Sequence, residues 1–132
     1  MKTDEANPAD WFLLARERLE SADVLFAGRG ACFSAVELLQ ESVERYLKGY
    51  LIAKGWKLER IHDLNRLLDL AASYHALFRQ FAPLTQSLTE QFWAQHYPGD
   101  DLTDVGEDFI QLRQQAGCLI AQIEEALRPP SP

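Results

Sequence analysis

The sequence predicts an all-α protein, an up-and-down antiparallel four-helix bundle with an extra short helical segment. Four long stretches repeat apolar residues at spacings of three and four, which is the period of a helix with one buried face. No stretch alternates apolar and polar residues with period two, and no hairpin signal such as Asn-Gly occurs. The connections are mostly short, as they are between antiparallel neighbours in a bundle.

The first two helices have clear start and stop signals. Asn7 is a good N-cap with Pro8 at the first helical position, and the glycines that flank Arg29 end this helix. The second helix is expected from about Ala31 to Lys54, where Gly55 stops it. Its inward side should carry seven apolar or aromatic residues, namely Phe33, Val36, Leu39, Val43, Leu47, Tyr50 and Leu51.

The second half of the chain predicts a third helix, the extra segment and the last helix. The third helix begins near His62 and Asp63, and Pro83 interrupts the helical pattern beyond it. The extra segment is expected from Leu84 to about Gln95. A last helix, capped by Thr103 or Asp104, runs to Leu127. We therefore expect one domain over residues 1–132, with a core at about 8–127 and a frayed tail at 128–132.

Composition excludes several classes of protein. The net charge of −7 argues against DNA binding and against anionic membrane surfaces, because both require a positive field. The polar N-terminus is unlike a signal peptide and no apolar run approaches the ~20 residues that span a bilayer, so a cytoplasmic protein is expected. Cys32 and Cys118 lie in apolar helical patterns and are expected to be buried free thiols. Neither a metal-ligand pattern nor a cofactor motif occurs, so neither group is expected.

Three polar residues stand four positions apart on the second helix and form the most informative pattern of the chain. Gln40, Glu44 and Lys48 therefore stack along one side of that helix. A helix that only fills a core has no use for an aligned amide, carboxylate and ammonium. We expect this strip either to be solvated or to meet a partner. It belongs to a locally basic part of an acidic chain, formed by Arg45, Lys48, Lys54, Lys57, Arg60 and Arg66.

The same residues carry a resemblance to a known family. Gln40, Glu44 and Lys48, followed by Lys54-Gly55 and then by His62-Asp63-Leu64, resemble the pattern of the HEPN family (higher eukaryotes and prokaryotes nucleotide-binding domain). Tyr97-Pro98-Gly99 is similar to the tyrosine-proline turn that precedes the last helix of that family. The resemblance spans roughly residues 9–127. It implies a ligand- or partner-binding site formed by Gln40, Glu44, Arg45, Lys48, Lys54, His62, Asp63 and Tyr97.

The resemblance also implies partners. Many HEPN bundles pair as two-fold homodimers, and many act with a separately encoded minimal nucleotidyltransferase, in some cases as toxin-antitoxin pairs. The expected function is therefore a nucleotide- or partner-binding module that acts with such a nucleotidyltransferase. The content of three Trp, seven Phe and four Tyr favours a homodimer that buries a helix face.

The ribonuclease signature of the family is missing from this chain. Many HEPN proteins are metal-independent ribonucleases that carry an Arg and, four to six residues later, a His on the last helix. The last helix here contains Arg113 and no histidine. We therefore expect no catalytic residue of the usual kind. A ribonuclease with an atypical active site and a purely structural oligomerisation protein remain as alternatives. His62 itself is expected either to cap the third helix or to contact a nucleotide or partner.

Overall fold

A computed structural model describes residues 1–131 of the chain, and its helices form a bundle. Within these residues there is no strand, so the predicted all-α fold is confirmed. Five α-helices and one 3-10 helix follow each other along the chain, namely α1 (Pro8–Arg29), α2 (Phe33–Ala53), α3 (Leu64–Tyr74), the 3-10 helix (Ala76–Phe81), α4 (Ala82–Ala94) and α5 (Phe109–Leu127).

The first two helices pack closely against each other as an antiparallel pair. Asn7 caps α1 by accepting a hydrogen bond from the backbone N–H of Ala9, and Gly30 ends it with a φ of +74°. The hydroxyl of Ser42 on α2 donates to the carbonyl of Ala15 on α1, at 2.8 Å. Hydrogen bonding between a side chain and the neighbouring helix backbone requires a short distance between the two helices.

Helix α2 is the centre of the bundle. It contacts each of the other four α-helices, and most of its residues between Ala35 and Leu51 are buried. Other helices contact α2 on more than its apolar side, so polar residues such as Gln40, Glu44 and Lys48 are buried together with the apolar ones. The burial of its polar residues is therefore a consequence of its position.

The start of the last helix differs from the prediction. Thr103 and Asp104 lie in turns, and α5 begins only at Phe109, after Asp108. Gly106 explains the delay, because its φ is +87° and a Cβ built on it would lie 3.2 Å from the backbone nitrogen of Cys32. The chain must turn there to pass the start of α2, so the helix cannot begin earlier.

Three apolar residues are less buried than predicted. Phe33 is 44% exposed because it occupies the first position of α2, where α1 has already ended. Cys32 is half-buried at the cap of that helix. Cys118 is exposed because it lies away from the buried stripe of α5. The prediction of two buried thiols is therefore wrong.

The tail after Leu127 has no regular structure over 128–131, and Pro132 lies outside the described residues. No helix in residues 1–131 combines the length and apolar character that crossing a bilayer requires.

Candidate functional site

The strip on α2 points into the bundle. The exposed fractions of Gln40, Glu44 and Lys48 are 5%, 8% and 3%. The expectation of a solvated strip is therefore wrong, while Gln40 and Glu44 also line a cleft that is described below. The reason is that the loop after α2 covers it through His62, and the start of α1 covers it through Trp11. Burial of an ion pair is tolerated when the two charges neutralise each other.

The carboxylate of Glu44 links the buried strip to the surface. Its Oε2 atom accepts a hydrogen bond from Nζ of Lys48 at 3.0 Å and lies 3.1 Å from Nδ1 of His62. A carboxylate is only an acceptor, so Nδ1 of His62 is the donor and its Nε2 atom is left for other contacts. The side chain of His62 is 78% exposed. Nζ of Lys48 also lies 5.7 Å from the ring centroid of Trp11, which is a cation–π distance.

Next to this link lies a cleft of about 520 Å³ between α2, the start of α3 and the second half of α4. Helix α2 contributes its polar side, the start of α3 contributes the His62–Asp63 corner, and α4 contributes mostly aromatic side chains. Asp63 is the N-cap of α3, since its carboxylate accepts from the backbone N–H of Asn65 at 2.9 Å. The cleft is lined by Gln40, Glu41, Glu44, Arg45, His62, Asp63, Asn65, Thr89, Phe92, Trp93 and His96.

The α4 wall of the cleft is a cluster of three rings. The ring centroids of Phe92 and Trp93 are 5.4 Å apart, those of Phe92 and His96 are 5.6 Å apart, and those of Trp93 and His96 are 5.1 Å apart. Such distances are typical of edge-to-face and offset aromatic contacts. Trp93 is 58% exposed, so one side of this cluster is available to a ligand.

Opposite the aromatic wall, α2 provides a cation and an amide. Arg45 is half-buried, and its Nη1 atom donates to the carbonyl of Glu41 at 3.1 Å. Because the ammonium of Lys48 is engaged by Glu44, Arg45 is the cation that the lining residues offer to an anionic ligand. The amide oxygen of Gln40 is buried and has no hydrogen-bond partner among the described residues. Such an unpaired polar atom is uncommon in a folded protein and is consistent with a ligand contact.

The cleft brings together five of the eight predicted site residues, namely Gln40, Glu44, Arg45, His62 and Asp63. Lys48 lies behind Glu44. Lys54 is the exposed C-cap of α2, with Nζ 6.0 Å from the ring of Tyr50. Tyr97 is 73% exposed and touches only the edge of the cleft, through a ring contact of 4.9 Å with His96.

The sequence reasoning missed the α4 wall. Phe92 and Trp93 lie in the last turn of α4, and His96 follows four and three positions later in the turn after the helix end. That spacing is a signal that could have identified the cluster. The contact of this cluster with α2, about fifty residues earlier, depends on the tertiary fold and has no counterpart in the local sequence.

The last helix holds the arginine that the sequence analysis singled out, Arg113, in an ion pair with α1. Helix α5 contains no histidine. The guanidinium of Arg113 is engaged by the carboxylate of Asp23 on α1, with contacts of 2.8 Å and 3.1 Å. No group of three or more His, Cys, Asp or Glu side chains in residues 1–131 is arranged to hold a metal ion.

Comparison with known proteins identifies a family for this chain. The family model described as HEPN domain matches residues 9–129. Searches of curated proteins and of solved structures found no match to the chain. The matched region contains all five α-helices except the first residue of α1, and it contains the whole cleft. The chain therefore belongs to the HEPN family, whose members are nucleotide-binding and ribonuclease-like modules.

Proposed function

We propose that this chain is a nucleotide-binding HEPN module without a ribonuclease centre of its own, and that it acts with a separately encoded minimal nucleotidyltransferase. The observation that carries the proposal is the cleft between α2 and α4, which places an aromatic wall opposite Arg45 and Gln40. Its volume of about 520 Å³ lies in the range of small-molecule sites.

The aromatic wall is suited to a nucleobase. Each base presents a flat face, and stacking of a base on an aromatic side chain contributes about 1–3 kcal/mol. Trp93 is the largest ring of the cluster and is 58% exposed. A base that stacks on it also covers apolar surface that is otherwise in contact with water.

Arg45 and Gln40 are suited to the polar parts of a nucleotide. A guanidinium forms two parallel hydrogen bonds to a phosphate group, which adds both energy and orientation. The side-chain amide of Gln40 offers a donor and an acceptor, as the edges of nucleobases do. The carboxylates of Glu41, Glu44 and Asp63 also line the cleft and repel phosphate, so a bound phosphate group requires the contact with Arg45.

The nucleotidyltransferase partner is inferred from the family resemblance and from the chemistry that this chain lacks. The module would hold the nucleotide, and the partner would supply the transfer chemistry. A toxin-antitoxin relation between the two is part of the proposal. Its test is co-expression with a minimal nucleotidyltransferase that is encoded next to this chain. A stable complex, and growth inhibition by one component that the other relieves, would support it.

Calorimetric titration with nucleoside mono- and triphosphates tests the nucleotide site. We expect Arg45→Ala and Trp93→Ala each to weaken binding at least tenfold, because they remove the phosphate contact and the stacking surface. Lys54→Ala is the matched control, since it removes a cation from the same helix outside the cleft. Equal affinity of the Arg45→Ala variant and the unmodified protein would contradict the proposal.

A specific observation favours a second candidate function, a metal-independent ribonuclease with an atypical active site. His62 and His96 line the same cleft as Arg45, and Glu44 orients His62. Nε2 of His62 could accept the proton of a ribose 2′-hydroxyl as that oxygen attacks the phosphorus. His96 would protonate the leaving 5′-oxygen, and Arg45 would contact the phosphate, so a 2′,3′-cyclic phosphate would form.

Incubation with single-stranded and structured RNA in the presence of a chelator separates the two functions. The binding-module proposal predicts no cleavage above background. Cleavage that disappears in both His62→Ala and His96→Ala would replace it with the second candidate. Cleavage that persists in both variants would indicate a contaminating nuclease. The control variant His75→Ala changes a histidine outside the cleft and should leave any cleavage unchanged.

A further inference from the structure

Two of the residues that line the cleft are buried, and both belong to α2. They are Gln40, which is 5% exposed, and Glu44, which is 8% exposed. The other lining residues, among them Arg45 and Trp93, are half-buried or exposed. Gln40 and Glu44 therefore form the floor of the cleft, and the other residues form its rim. Because the two stand four positions apart on one helix, their side chains lie next to each other.

The floor presents hydrogen-bond acceptors. The amide oxygen of Gln40 is shielded from water and accepts no hydrogen bond from the described residues. The contacts of the Glu44 carboxylate with Lys48 and with His62 both end on its Oε2 atom, so Oε1 takes part in neither. A buried acceptor without a donor is unfavourable. A ligand that fits this floor must therefore donate hydrogen bonds to two neighbouring oxygens.

The four bases of RNA differ in what their edges offer to two neighbouring acceptors. The Watson–Crick edge of guanine carries N1–H and the 2-amino group, which are donors on adjacent positions of the base. Adenine and cytosine place a ring nitrogen, an acceptor, next to their amino group. Uracil places its one N–H between two carbonyl acceptors. Guanine is thus the base whose edge is complementary to a floor of two acceptors.

We infer that the cleft selects guanine nucleotides, an inference that rests on the proposed nucleotide-binding function. The guanine base stacks on Trp93 at the rim and turns its Watson–Crick edge toward the floor. N1–H and the 2-amino group donate to the oxygens of Gln40 and Glu44, and Arg45 contacts the phosphate group. Hydrogen bonds to a charged acceptor are the stronger ones, so Glu44 contributes more to the selectivity than Gln40.

The buried ion pair of α2 gains a role in this arrangement. Nζ of Lys48 lies 3.0 Å from Oε2 of Glu44 and holds the carboxylate at the floor of the cleft. A carboxylate that is paired with an ammonium presents acceptors only. Apolar residues of similar volume often stabilise a protein as well as a buried ion pair does, but they cannot select a ligand by its hydrogen-bond donors.

Calorimetric titration of the full chain with GMP, IMP and AMP tests the inference. IMP carries N1–H but lacks the 2-amino group, so it offers one of the two donors. We expect GMP to bind roughly tenfold or more tightly than AMP, with IMP between them, because AMP places an acceptor against the floor. Equal affinities for GMP and AMP, both lowered by Arg45→Ala, would overturn the selectivity alone. Absence of binding by all three nucleotides would overturn the proposed nucleotide site together with it.

Gln40→Leu tests the floor itself. The substitution removes one acceptor, has a similar size and leaves the pair of Glu44 and Lys48 intact. It should reduce the preference for GMP over AMP about threefold or more. Gln86→Leu is the matched control and should leave the preference unchanged, because Gln86 is an exposed glutamine of α4 outside the cleft.

Thermal unfolding followed by circular dichroism verifies that both leucine variants are folded. A folded Gln40→Leu variant that keeps the full preference for GMP would overturn the assignment of Gln40 to guanine recognition. Tighter binding of AMP than of GMP by the unmodified protein would overturn the inference as a whole.

Discussion

The middle of α2 and its C-terminal end place the same kind of side chain in opposite environments. Lys48 is 3% exposed and donates to Glu44 at 3.0 Å. Lys54, six residues later, is exposed at the C-cap of the helix. The difference arises from the surroundings of each segment, since other helices surround the middle of α2 while its end faces solvent. Lys48 therefore belongs to the internal structure of the bundle, and Lys54 does not.

The largest effect on stability is expected when the buried pair is broken. Lys48→Ala leaves the carboxylate of Glu44 buried with His62 as its remaining partner, and loss of one member of a buried ion pair costs about 3 kcal/mol or more. Lys54→Ala should change the free energy of unfolding by no more than about 0.5 kcal/mol, as surface substitutions do. Urea unfolding of both variants measures the contrast directly.

A control distinguishes loss of the charge pair from loss of packing. The double variant Glu44→Leu, Lys48→Met replaces both charges by apolar groups of similar size, which is often close to neutral for stability. It should recover most of the stability that Lys48→Ala loses. Equal stability of Lys48→Ala and Lys54→Ala would refute the assignment of Lys48 to the interior.

A smaller effect is expected at Gly49, next to Lys48 in the same buried segment. A Cβ built on Gly49 would lie 2.6 Å from Cε1 of Phe12 on α1, so Gly49→Ala forces the ring of Phe12 to move from its place between the two helices. Overpacking of this kind costs about 1–3 kcal/mol. Gly28→Ala is the matched control, because no atom lies within 4 Å of its Cβ position. That variant should gain about 0.5–1 kcal/mol, since alanine is favoured over glycine in a helix.

The smallest effect concerns two buried tyrosines of α2 and appears only at alkaline pH. Burial raises the pKa of Tyr46 and of Tyr50 above the ordinary value of 10.0. The unfolded chain therefore releases these protons at a lower pH than the folded chain. Their contribution to stability is complete below pH 10 and is lost as the pH rises through the raised pKa values.

The double variant Tyr46→Phe, Tyr50→Phe should reduce this alkaline loss of stability. Tyr97→Phe should leave it unchanged, because Tyr97 is 73% exposed. Urea midpoints measured from neutral pH to about pH 11 report the difference. A double variant that loses stability with pH as steeply as the unmodified protein would show that other groups cause the loss.

The sequence predicted the helices well where the signals are local. The cap at Asn7, the stops at Gly30 and Gly55 and the start of α3 at Asp63 all depend on residues within one turn of the helix end. The start of α5 was not predicted correctly because Gly106 must pass close to Cys32, about seventy residues earlier. No local pattern contains that constraint.

The candidate site was predicted only in part, for a related reason. The spacing of Gln40, Glu44 and Lys48 shows that they share one side of α2, but it does not show which elements that side contacts. An aligned acid and base can neutralise each other inside a bundle as well as on its surface. The aromatic residues near the end of α4 can be read from the sequence, but their position opposite α2 follows only from the tertiary fold.

The proposal that the cleft binds a nucleotide can be tested most directly through the three tryptophans, which occupy three different places in the molecule. Trp93 lines the cleft. Trp11 donates its indole N–H to the carbonyl of Glu5 at 2.8 Å, and Trp56 packs against the core after the end of α2. In a ¹H–¹⁵N spectrum titrated with a nucleoside monophosphate, we expect the indole signal of Trp93 to shift together with the side-chain amide of Gln40, while the signals of Trp11 and Trp56 remain in place. A saturable titration that shifts Trp11 or Trp56 and leaves Trp93 unchanged would contradict the assignment of the cleft as the nucleotide site.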